Sequence, residues 1–264
     1  MAQVPTAAPA DPAAPPAPAV PPEGRPWGFW ATMGFSTVVV AVQIAIAAAV
    51  AVVFVIACPE AADKPKALAN PFESNGLFMS AIFLASAPPC SALIVLLAWL
   101  RHKQYPLRKY LGLAKPRLWR LLGWTAASVA LVAAGDVVSY LMGQPVVPQF
   151  MVDVYKTSYF LPLLFLTLIV VGPAFEELLV RGFMLEGIRR SRAGPVVALL
   201  VTSVLWAACH TQYSWHGIVA ILVYGLLLGV ARMKTNCLWT CFAMHAATNL
   251  LATVQVMVKV GVLD

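Results

Sequence analysis

Charge is scarce in this chain. Only 11% of its 264 residues are Asp, Glu, Lys or Arg, against about 25% in soluble domains, and that shortage excludes an ordinary soluble enzyme. Paired cysteines are missing as well. Cys58, Cys90, Cys209, Cys237 and Cys241 form no C-x-x-C pair and mostly fall in apolar runs, so they read as small hydrophobes, not as a disulfide framework or a zinc site. Cys58 follows Val-Ile-Ala but lies too far from the N-terminus to be a lipoprotein cleavage site. No H-E-x-x-H is present, which removes the signature of the helical zinc proteases.

What the chain has instead is apolar length. It is 61% hydrophobic, its mean hydropathy is +0.80, and apolar runs of eighteen or more residues recur, each enough to cross a bilayer core of about 30 Å. Seven spans are expected, near 29–57, 76–100, 121–142, 160–186, 195–211, 217–232 and 237–257. The fold class is therefore all-α, a polytopic transmembrane helix bundle of seven helices, or eight if one is re-entrant or split. Pro88-Pro89 should kink or split the second span, which helix packing in a membrane tolerates. Residues 143–159 are too polar to span and are expected at the interface. Residues 1–26 are rich in Ala and Pro and read as a disordered tail. No basic region precedes a short apolar core there, so the first span reads as an anchor and not as a signal peptide. The organisation expected is a tail (1–26), N-terminal helices with a basic loop (27–159) and a C-terminal helix bundle (160–264).

The positive-inside rule orients these spans. Arg101, Lys103, Arg108, Lys109, Lys115, Arg117 and Arg120 lie between spans two and three; Arg189, Arg190 and Arg192 follow span four; Arg232 and Lys234 follow span six. With Arg25, all fall on one side, cytoplasmic if the N-terminus is cytoplasmic. Lys64, Lys66, Lys156 and Lys259 fall on the other. A multi-pass protein of the cell membrane accounts for the net charge of +7, and nucleic acid is not needed as a partner.

Ionisable groups inside a membrane cost at least about 2.5–3.5 kcal/mol each, so each invites a functional explanation. Span four holds Glu176, Glu177 and Arg181. Glu177 and Arg181 are four apart and share a helical face, while Glu176 is turned by about 100° and is left for another task. His210 closes span five. His245 and Asn249 share one face of span seven. A packed polar network between helices is the plain alternative for all of them. A carboxylate, two imidazoles and an amide on three helices are also the parts of a hydrolytic site.

These motifs, Glu176-Glu177-x-x-x-Arg181, Trp206-x-x-x-His210 and His245-x-x-x-Asn249, in this order on successive helices over roughly residues 160–257, resemble the CPBP family of intramembrane peptidases. That family includes CaaX prenyl endopeptidases and bacteriocin-processing or self-immunity proteins. The resemblance implies that Glu176 and His210 activate a water, that His245 and Asn249 stabilise the oxyanion, and that Glu177 and Arg181 support them. It implies no cofactor, and a peptide or protein substrate, a prenylated CaaX protein among the candidates. Trp206 stands where the family usually has Phe, and reads as an aromatic packing residue without effect on the chemistry.

A zinc-dependent version stays open, since two Glu and two His can hold zinc with an open position, although Arg181 disfavours a nearby cation. A non-catalytic scaffold or immunity protein, and a transporter lined by the same polar groups, are the rival functions. No internal repeat supports the transporter, and the scaffold has no need for every motif residue to be present. By helical rise His210 lies roughly 27 Å from Arg192, too deep by several Å, so span five is expected to start late or to follow a short surface segment. Asp136 reads as a satisfied interior residue, His216 and Trp215 as interfacial, His102 as part of the basic loop, and Glu186 with Arg190 as a surface pair.

Overall fold

The computed structural model describes residues 24–57 and 75–261; most of the Ala/Pro-rich tail, Cys58, Lys64 and Lys66 lie outside them. The described residues form helices and no strand: α1 (Phe29–Ala57), α2 (Gly76–Trp99), α3 (Leu107–Leu111), α4 (Leu118–Leu141), α5 (Gln149–Lys156), α6 (Leu161–Arg189), α7 (Gly194–Ala208), α8 (Trp215–Thr235) and α9 (Leu238–Lys259). Six of these, α1, α2, α4, α6, α8 and α9, are long and apolar enough to cross a membrane. Ile44, Val53, Leu122, Val137 and Leu200 stand exposed on the outside. Apolar surface on that scale is a liability in water and suits lipid. The chain is a multi-pass membrane helix bundle.

α6 runs through its middle, touching α1, α2, α7, α8 and α9. α2 starts where Asn75 Oδ1 accepts the Phe78 N–H at 2.9 Å, which satisfies one orphan donor of the first turn. It then continues through Pro88-Pro89 unsplit. Residues 143–159 do not span: they hold α5, whose Val152 and Tyr155 pack on Val256 of α9.

Three sequence expectations change. Span five neither starts late nor follows a surface segment. α7 begins at Gly194 and stops at Ala208; fifteen residues rise about 22 Å, short of a bilayer core of about 30 Å. The turn carrying His210 is thereby set within the membrane's thickness. Glu186 and Arg190 do pair, but only Arg190 is at the surface. The Glu186 side chain is wholly buried and is contacted by Arg189, Arg190 at 3.2 Å and Arg232 at 3.8 Å, while Tyr105 Oη donates to it at 2.7 Å. Burial and this bond push the Tyr105 phenol up to about 12. Arg232, counted above as a loop charge, is wholly buried. Its guanidinium fills the space beside Gly112, where a Cβ would lie 2.4 Å from Nη2 and where the backbone has φ +71°. Both conditions call for glycine.

The two ends of the bundle are tied separately. At one end Arg101 Nη2 donates to Arg25 O at 3.1 Å, Arg189 Nη2 to Asn236 Oδ1 at 2.9 Å, and Leu238 N to Gly112 O at 2.8 Å. At the other, Gly76 N donates to Thr157 Oγ1 at 2.9 Å and Lys259 Nζ to Val147 O at 2.8 Å. The basic loops thus share one end, as the charge pattern requires.

Candidate active site

α6 departs from ordinary helical register around its carboxylates. Thr167–Val171 and Leu178–Met184 are π-helical, with an α-helical Gly172–Glu177 between them. Pro173 is one cause. In the first π stretch Gly172 N bonds Thr167 O, so the next donor, for Leu168 O, would be residue 173, and proline has no N–H. The orphaned Leu168 carbonyl accepts Asn249 Nδ2 of α9 instead, at 2.7 Å. Such π insertions recur at functional sites.

Glu176 and Glu177 then point into different surroundings. Glu177 is wholly buried. Its Oε1 accepts Arg181 Nη1 at 3.1 Å and His245 Nδ1 at 2.9 Å. Arg181, also wholly buried, donates through Nη2 to Gly225 O at 3.3 Å and lies over the Trp206 ring with Cζ 4.3 Å from its centroid. Glu176, partly exposed, accepts Trp206 Nε1 on Oε2 at 2.7 Å.

Trp206 is therefore the hub of the site. Its N–H holds Glu176, its carbonyl accepts His210 Nδ1 at 2.8 Å, and its ring meets His210 edge-on at 4.8 Å and His245 at 5.5 Å. Reading it as packing alone missed the indole N–H, which phenylalanine lacks. Gly225 makes room: a Cβ there would lie 3.1 Å from Trp206 Cε3 and 3.4 Å from Arg181 Nη2.

The tautomers follow from the partners. A carbonyl and a carboxylate only accept, so Nδ1 is the donor in both His210 and His245, and Nε2 remains for another partner. Glu176, His210, His245 and Asn249 line one cavity of about 190 Å³, far above the ~10–15 Å³ that one water needs. Its walls are otherwise largely apolar, with Met79, Phe83, Phe150, Phe165 and Leu168 among them. Glu177 and Arg181 stand behind this lining. Tyr213, which no sequence signal marked, also lines it.

Among the described residues no group of three His, Cys, Asp or Glu is placed to hold a metal ion. Asp136 accepts Gln255 Nε2 at 2.7 Å and lies outside the site. His216 pairs with Ser214 at the start of α8 and His102 with Trp99 O at the end of α2.

No curated protein and no solved structure matches this chain. A family model does match, Rce1-like, described as type II CAAX prenyl endopeptidase Rce1-like, over residues 158–251. That stretch runs from just before α6 into α9 and holds Glu176, His210, His245 and Asn249, together with Trp206 and the Glu177–Arg181 pair. Over residues 158–251, about a third of its length, the chain is similar to the Rce1-like CAAX prenyl endopeptidases.

Proposed function

We propose that this protein is an intramembrane endopeptidase in which Glu176 acts as the base for an attacking water, without a metal. The carrying observation is that Glu176, His210, His245 and Asn249, from two helices and a turn, line one cavity. Trp206 occupies Glu176 Oε2, leaving Oε1 for the water, and neutral His210 accepts a hydrogen bond from that water through Nε2. The water oxygen adds to the peptide carbonyl carbon while its proton passes to Glu176. The carbonyl electron pair moves onto oxygen, where Asn249 Nδ2–H and a protonated His245 Nε2–H donate to the oxyanion. Collapse breaks the C–N bond, and the proton on Glu176 goes to the departing amine, giving an acid and an amine. Glu177 keeps His245 in the required orientation, and Arg181 balances Glu177.

The metal-free form is favoured by the donor set. Glu177 already serves Arg181 and His245, which leaves it poorly disposed to ligate a cation. The membrane is the cell membrane, with the N-terminus cytoplasmic. The test is cleavage of a panel of lipidated and unlipidated peptides by detergent-solubilised full-length protein, alongside Glu176→Ala and His210→Ala, each with and without a chelator. Loss in both variants with full activity under the chelator is the expected result. Loss under the chelator alone would assign a metallopeptidase, and cells that keep full biological activity with both variants would make the protein a scaffold.

A further inference from the structure

The cavity has a direction. From Glu176 and His245 in mid-helix its lining continues through Leu168 and Leu164 of α6, through Asn249, Thr253 and Val256 of α9, and on to Phe150 and Val154 of α5 and Tyr213. The ring of Phe150 meets Tyr213 at 4.9 Å. These residues belong to the end of the bundle where Gly76 meets Thr157 and Lys259 meets Val147. His210 sits in the turn at that same end, where α7 has already stopped.

The charge has the opposite direction. Thirteen of the 18 Lys and Arg belong to the other end, the end held by the Arg101–Arg25 and Arg189–Asn236 bonds. At the cavity's end the charged side chains among the described residues are Asp136, Asp153, Lys156 and Lys259. Short basic loops stay in the cytoplasm, and the bias here is one-sided in three successive loops. A cavity that leads away from those loops leads away from the cytoplasm.

We propose that the site takes its substrate from the extracytoplasmic face, so that the peptide it cleaves is a translocated or membrane-spanning segment with apolar residues next to the scissile bond, and not the prenylated tail of a cytosolic protein. The sidedness stands on charge and geometry alone, while the substrate class rests on the peptidase reading. The apolar preference follows from Met79, Phe83, Phe150 and Phe165 in the walls. α5, an eight-residue helix with Val152, Val154 and Tyr155 turned inward, lies across the way in, and a peptide must pass beside it.

Two measurements on the full chain keep sidedness and catalysis apart. The first replaces Cys58 and Cys209 by Ser and adds a single cysteine, either Ser214→Cys or Lys115→Cys; both positions are exposed, at opposite ends, and Cys90, Cys237 and Cys241 are buried. A sulfonated, membrane-impermeant maleimide on intact cells is expected to label Ser214→Cys, and to label Lys115→Cys only after permeabilisation. The reverse pattern, or labelling of both in intact cells, overturns the proposal. The second uses sealed right-side-out vesicles and a water-soluble apolar peptide that the detergent-solubilised protein cleaves. Cleavage of peptide added outside and its loss when the same peptide is trapped in the lumen is expected, and cleavage confined to the lumen overturns it. If every peptide survives in detergent while the labelling comes out as stated, the peptidase reading fails and the sidedness stands.

Discussion

Trp206 makes a charge-assisted hydrogen bond to Glu176 at 2.7 Å, and bonds of that kind contribute about 1.5–3 kcal/mol. In the proposed mechanism it fixes which carboxylate oxygen meets the water, so its effect falls on the chemical step and not on binding. Trp206→Phe keeps an aromatic ring and deletes the donor. It is predicted to lower kcat about 10- to 100-fold with KM unchanged, which steady-state kinetics checks; a rise in KM at constant kcat would mean a packing role. Gly225→Ala tests the same hub from behind. Its new Cβ would press on Trp206 and Arg181 at 3.1 and 3.4 Å, and overpacking of a tight core costs about 1–3 kcal/mol, read as a lowered thermal transition in detergent. The spacing of Glu177 and Arg181 announced a shared face. The bond from Trp206 to Glu176, thirty residues apart, could not be read from spacing, because it depends on how α6 and α7 are rotated against each other.

α6 shows how far an element can be read before packing intervenes. Its extent was legible from apolar length, ending at Arg189 where 186 was expected. Its two π stretches were not, although Gly172-Pro173 in mid-span marked a place where the backbone ladder must break. Asn249 was chosen for its place beside His245 on one face of a helix, yet it also supplies the donor that Pro173 cannot give to Leu168 O. That double duty makes a prediction. Asn249→Ala should lower both activity and stability, the latter by about 1 kcal/mol for the lost bond to the part-buried Leu168 carbonyl. Asn249→Gln should fail to rescue if the register matters, because its amide is one methylene further out; thermal melts and cleavage rates on both variants decide. α7 was misjudged in the other direction. Its apolar run continues to Cys209 in sequence, but the helix stops at Ala208 and presents His210 from a turn.

At the scale of the whole bundle, buried charge among the described residues is split into two centres. One is the Glu177–Arg181–His245 cluster behind the cavity; the other joins Glu186 to Arg189, Arg190 and Arg232 near the basic end. The second centre was invisible in sequence. Glu186 and Arg190 have the spacing of an exposed helical pair, and only the docking of α8 and of the segment carrying Tyr105 encloses Glu186, while Arg190 stays exposed. Glu186→Gln would leave Arg232 buried without a full counter-charge. Breaking such a pair costs about 3–5 kcal/mol, so this variant is predicted to melt well below the wild type. Since Glu186 does not line the cavity, whatever protein remains folded should cleave at the wild-type rate per folded molecule. The topology as a whole was more legible than either centre, because hydropathy and the placement of Lys and Arg are long-range averages that single contacts do not disturb.

The most direct test of the central claim is the single-turnover cleavage rate of Glu176→Gln against wild type in detergent, with melting curves to show that both are folded. Gln is nearly isosteric with Glu and keeps an oxygen for Trp206, but cannot take a proton from water. Positioned general bases contribute about 10²–10⁴-fold; a fall of that size at an unchanged melting temperature is predicted. A Glu176→Gln protein that cleaves at the wild-type rate would contradict Glu176 as the base.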